Sequence, residues 1–99
     1  MPKQIIWSTL SESDFSGILE YLQQNWDSKV VNKFISIIDE LIHQISLNPK
    51  QFPVIQKGKK VRKCVITKHN SLYYRERRGS IDILRIYDNR QDPHKLRFG

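Results

Sequence analysis

Residues 61–67, 71–77 and 81–87 form three β-branched or aromatic runs, separated only by Lys68-His69-Asn70 and Arg78-Gly79-Ser80. Parallel neighbours need crossovers of about a dozen or more residues, so connections this short predict an antiparallel meander. In the third run Ile81, Ile83, Arg85 and Tyr87 alternate with Asp82, Leu84 and Ile86. Both sets contain apolar residues, so both faces of the meander are expected to be partly covered.

What covers one face lies upstream. Ser11, Phe15, Ile18 and Leu22, with Tyr21 beside them, recur at helical spacing, with Ser8 or Ser11 as the cap and Ser11 with Asp14 resembling a capping box. Val31, Phe34, Ile38, Leu41, Ile42 and Ile45 mark a second stripe, capped by Asp27 or Ser28 and stopped at Asn48-Pro49. The short link between the stripes makes a two-helix hairpin, with Trp26 expected as a packing anchor at its corner. Before it, Gln4 to Trp7 reads as a first strand, and residues 49–60, with two prolines and Gly58, read as a surface loop. The predicted fold is α+β: an N-terminal strand, a two-helix hairpin and a three-stranded antiparallel meander packed on the helices, as one domain over residues 1–99. The helices leave the other sheet face as an expected basic concavity.

Charge is polarised along the chain. Residues 1–49 hold three Lys/Arg against six Asp/Glu, a net −3, whereas residues 50–99 hold fourteen against four, a net +10. Such a field draws phosphate backbones or an acidic protein segment. The N-terminus lacks the apolar segment of a signal peptide and no run approaches a membrane span, so a cytoplasmic location without membrane association is expected. The single cysteine, Cys64, falls in a strand-like run and is expected in the core.

There is no Gly-rich phosphate loop, no His-Glu-x-x-His and no paired-carboxylate spacing, so neither a cofactor nor a metal is expected. Cations, histidines and tyrosines remain, a vocabulary suited to phosphodiesters. Lys57, Lys59, Lys60, Arg62, Lys63 and Lys68 are candidate phosphate- or target-positioning groups, and Arg85 joins them from the third run. Tyr73, Tyr74 and Tyr87 either stack bases or pack the sheet. Of the three histidines, His43 is expected to be structural and His69 lies in a turn.

Residues 61–75, followed by Ile83-Leu84-Arg85-Ile86-Tyr87-Asp88-Asn89-Arg90-Gln91-Asp92-Pro93, resemble the RelE/ParE toxin superfamily, whose last strand runs into a D-x-R-x-x-P-like tail. The order of Trp7-Ser8, Asp14, Tyr21, Trp26 and Asn48-Pro49 extends the resemblance over nearly the whole chain. It implies a growth-inhibiting toxin of a plasmid-stabilising type II toxin–antitoxin pair, held by a cognate acidic antitoxin in a hetero-oligomer. Two targets follow from it: RelE-type members cleave ribosome-bound mRNA without a metal, and ParE-type members inhibit DNA gyrase. A third reading is an inactive domain that acts with its antitoxin as a DNA-binding co-repressor. Carried across, Arg90 matches the arginine after the last strand of nuclease members, where it offsets phosphorane charge or else pairs with Asp88 or Asp92. His94 is the candidate general base. The chain departs from the RelE pattern at Asn70 or Ser71, where an arginine is expected, and at Leu96, where a tyrosine is expected.

Overall fold

The computed structural model describes residues 2–98. In chain order the elements are β1 (Gln4–Trp7), α1 (Thr9–Asn25), α2 (Ser28–Leu47), β2 (Val54–Gln56), β3 (Val61–Val65), β4 (Asn70–Arg77), β5 (Ser80–Asp88) and a 3-10 turn (Pro93–Lys95). The strands form one five-stranded sheet ordered β1-β5-β4-β3-β2, so the architecture is α+β as expected. The three expected strands are the antiparallel meander β3-β4-β5, and β1 adds to it in parallel beside β5. No helix among the described residues is long and apolar enough to cross a membrane.

Local chemistry explains the helix boundaries. Ser8 accepts the Ser11 backbone N–H at 3.0 Å as the cap of α1, and Asp27 accepts the Val30 N–H at 3.1 Å as the cap of α2. Ser11 is fully buried instead of forming the box with Asp14, which points to β5. The Ser8 hydroxyl also donates to the Leu84 carbonyl at 2.9 Å, fixing the start of α1 to the middle of β5. Phe34, Ile38 and Ile45 of α2 are buried against Leu72, Tyr74, Ile81, Ile83 and Ile86 of the sheet. Phe15 continues that core, its ring 5.3 Å from Trp7 and 6.2 Å from Phe34. Cys64 lies in the same core with 0% exposure.

Four expectations are corrected. Trp26 does not anchor the corner: it is 62% exposed. Residues 49–60 are not all loop, because β2 pairs antiparallel with β3 through Val54–Arg62 and Gln56–Val61, with a bulge between. Strict alternation in β5 also fails, since opposite Tyr73 stands Arg85 and opposite Tyr74 stands Ile83, leaving Leu84 as the extra residue of a bulge. The bulge turns Ile86 to the helix side with Ile81 and Ile83, while Leu84 and Tyr87 join Val61 and Tyr73 on the far face. That far face is the fourth correction. In place of a basic concavity it carries an apolar cluster covered by Leu96 and Phe98 of the tail, the Phe98 ring lying 5.7 Å from that of Tyr73.

The turns follow residue type with one exception. Gly79 supplies the left-handed conformation between β4 and β5 at φ 86°. Between β2 and β3 that conformation falls on Lys60, at φ 55°, where a side chain costs on the order of 1–2 kcal/mol.

Candidate functional site

The end of β5 is braced before it opens. The Asn89 backbone N–H donates to the His69 carbonyl at 2.7 Å, and the buried Ser71 hydroxyl donates to Asn89 Oδ1 at 2.6 Å. The Tyr87 hydroxyl donates to the Asp92 carbonyl at 2.9 Å, which holds the following turn against the strand. These bonds present Asp88 and Arg90 at the mouth of a cleft of about 900 Å³ between α1, α2 and β5.

Asp14, Tyr21, Trp26, Lys33, Arg85 and Arg90 line this cleft. The exposure of Trp26 and of Tyr21, at 62% and 58%, is therefore exposure within a concave site. Apolar floor is supplied by Ile18, Leu22 and Phe34, with charged groups around it. This mixture suits an amphipathic protein segment, whose apolar side fills the floor while its charges meet the rim.

Two of the sequence candidates occur here, each already paired. Arg90 Nε and Nη2 donate to both Asp88 oxygens, at 3.0 and 2.8 Å, and its backbone N–H donates to Oδ1 at 2.8 Å. The Arg90 side chain and backbone bonds hold the Asp88 carboxyl down to about 2, from an ordinary 3.8. Arg85 is clamped by Asp14 through Nε at 2.7 Å and Nη2 at 3.1 Å, while Nη1 donates to the Arg97 carbonyl at 2.7 Å. His94 lies apart, exposed on the 3-10 turn, with its backbone N–H capped by Asp92 Oδ1 at 2.9 Å.

The remaining candidates are scattered over the molecule. Tyr73 is 6% exposed beneath Phe98, its phenol pushed up by burial and by Tyr87, and Lys63 Nζ lies 6.0 Å from its ring centre. Lys57, Lys60 and Arg62 line a separate shallow depression at the end of the sheet that carries the β2–β3 and β4–β5 turns, although Arg62 spends part of its guanidinium on the Phe52 carbonyl at 2.6 Å. Lys59 lies in the exposed β2–β3 turn and Lys68 in the exposed β3–β4 turn. His69 lines the cleft, and His43 is exposed on α2.

Sequence reasoning passed over Lys33 and the cleft role of Tyr21 and Trp26. Their signal was present as aromatic and cationic residues on the outward sides of the two stripes, but only the hairpin crossing brings them together.

Known proteins bear on this arrangement. The fold is similar to that of the chromosomal ParDE TA system from P. aeruginosa, with TM-score 0.71, 20% identity, and coverage of 87% of this chain and 95% of that one. It is also similar to the YoeB/ParE toxin from Agrobacterium tumefaciens, with TM-score 0.64, 15% identity, and coverage of 87% and 98%. The protein HP0894 from Helicobacter pylori gives TM-score 0.56 at 21% identity, with coverage of 88% and 94%. No curated relative matches the sequence. The family model for the ParE toxin of the type II toxin-antitoxin system, parDE, matches residues 5–93, from the first strand through the braced Asp88–Arg90 corner. With its strand, helix hairpin, meander and cleft all inside that match, the chain belongs to the ParE toxin family of type II toxin–antitoxin systems.

Proposed function

We propose that this toxin stops growth by binding DNA gyrase and not by cutting mRNA, and that a cognate acidic antitoxin neutralises it in a cytoplasmic hetero-oligomer. The observation that carries the reading is the filled outer face of the sheet. Leu96, standing where nuclease members of the superfamily have a tyrosine, packs with Phe98 on Val61, Tyr73, Leu84 and Tyr87. A phosphodiester bound there would have to displace apolar side chains from one another, which opposes binding. The two groups carried over for proton and charge management fare no better. Arg90 is engaged by Asp88, and His94 sits on the exposed tail.

The cleft supplies the alternative chemistry. Its exposed aromatic pair and apolar floor, with a rim of mixed charge on which Lys33 forms no ion pair among the described residues, match a folded or folding protein partner, and an acidic antitoxin segment entering it satisfies Lys33 while covering Trp26. Antitoxin and gyrase then compete for one surface of the toxin.

Plasmid supercoiling by purified gyrase, run beside mRNA cleavage on translating ribosomes, tests this reading. Gyrase is expected to lose supercoiling activity at saturating toxin, with no new mRNA ends. Cut mRNA together with undiminished supercoiling would reverse the assignment.

A further inference from the structure

The depression at the end of the sheet that carries the β2–β3 and β4–β5 turns gathers charge from distant parts of the chain. Lys3 precedes β1, Lys50 follows α2, Lys57 and Lys60 flank the β2–β3 turn, Arg62 is on β3, and Arg77 and Arg78 lead into the β4–β5 turn. These seven cations line one surface with a single carboxylate, Glu76. Glu76 is taken by Lys3 at 2.8 Å, and Asp82 is taken by Arg75 and Arg77. Among the described residues, Lys50, Lys57, Lys60 and Arg78 form no ion pair. A surface kept merely soluble intersperses both signs, whereas this one concentrates one sign. Lys60 adds a second indication. A left-handed position that glycine or asparagine would occupy at lower cost is held by a lysine, and strain of this kind is retained where the side chain has work to do.

We propose that this patch binds the sugar-phosphate backbone of double-stranded DNA. The lining contains no aromatic residue, so it lacks the stacking platform on which single strands are held. Its one apolar residue is Val54, so it offers no floor for the side chains of an acidic protein, in contrast to the Trp26 cleft. Mobile lysines and arginines spread over several elements suit repeated phosphates read without regard to sequence. The patch shares no lining residue with the cleft.

Fluorescence anisotropy of a mixed-sequence duplex of about 20 base pairs with the purified full chain, across a salt series, tests the assignment. The slope of log K against log salt is expected to be about −3 to −4 for four phosphate contacts, and Lys57→Glu/Lys60→Glu is expected to reduce its magnitude by about 1.8. Affinity of that double variant should fall at least tenfold at about 100 mM salt. The control Lys29→Glu/Lys95→Glu changes net charge equally at exposed positions outside the patch and is expected to leave the slope intact. An equal loss from the control pair would reduce the effect to net charge and overturn the site. Tighter binding of the matching single strand, or displacement of the duplex by an acidic peptide at equal charge concentration, would overturn the choice of DNA. Circular dichroism of both variants checks that they remain folded, and supercoiling inhibition is scored separately, so loss of DNA binding and failure of the gyrase reading are distinguishable.

Discussion

Asp14 on α1 grips Arg85 on β5 with both carboxylate oxygens, and Oδ2 also accepts the Ile86 backbone N–H at 3.1 Å. Each side chain of the pair is 17% exposed, so water replaces a lost partner poorly. Asp14→Asn is expected to cost about 1–3 kcal/mol, because it leaves the guanidinium half-paired and weakens the Ile86 bond. Asp14→Ala and Arg85→Ala should be non-additive by about 0.5–3 kcal/mol in a double-mutant cycle followed by urea unfolding. Strict additivity would mean that the pair contributes no coupling.

The tail closes the far sheet face through Leu96 and Phe98. Phe98 is half-buried, so Phe98→Ala is expected to cost about 1–2 kcal/mol, less than the loss of a fully buried ring. The same variant should raise the solvent accessibility of the Tyr73 ring, read as a change in near-ultraviolet circular dichroism. A variant with wild-type urea midpoint and spectrum would show that the tail does not cover the face in solution.

Arg90 and His94 separate binder from nuclease. With the exposed His94 outside the cleft, His94→Ala is expected to leave growth inhibition unchanged. Arg90→Ala breaks the pair with Asp88 and leaves an uncompensated carboxylate at the cleft, which should weaken binding of an acidic partner about 10-fold. A fall of about 10² or more in toxicity from His94→Ala would instead be the signature of a proton-transfer role.

The Asp88–Arg90 contact gives a titration of known sign. Because the Asp88 carboxyl is depressed to about 2 in the folded chain, its stabilising contribution is complete above its ordinary 3.8 and is lost as pH falls through about 2. Carboxyl chemical shifts should show an Asp88 midpoint near 2. In Arg90→Ala the midpoint should move back toward 3.8, since the main cause of the shift is gone. An unmoved midpoint would assign the shift to other groups.

Cys64 is fully buried, and burial pushes its thiol up to about 11. The native chain is expected to resist a thiol reagent at pH 8 and to react stoichiometrically once denatured. Rapid native labelling would place Cys64 in an opening part of the sheet.

Periodic segments were readable because one face of each is buried over several turns or residues. The α2 stripe from Val31 to Ile45 and the strands around Tyr74 and Ile83 follow that rule, and Asp27 announces its helix by cap chemistry. β2 was missed because three exposed residues between a proline and a lysine run carry no alternation at all. The β5 bulge escaped for a related reason: Leu84 and Ile86 fit a regular strand in isolation, and only pairing with Tyr73 and Tyr74 displaces them. Trp26 was misplaced by its apolar area, which is spent at the cleft instead of the core. For the site, the basic run 57–63 was visible along the chain, but Lys3, Lys50, Arg77 and Arg78 join it only through sheet pairing.

The first strand of the chain is paired with the last, Ile5 beside Ile81 and Trp7 beside Ile83. A contact of such sequence separation forms late, since the loop entropy must be overcome before the pairing rewards it. Ser8 also waits, because its partners are the carbonyls of Ile83 and Leu84. During synthesis, therefore, α1 and α2 emerge without the strand that fixes their cleft, and the toxin becomes complete only after β5 has left the ribosome. That order of events leaves an interval in which the helix pair has been made but the cleft between it and β5 has not.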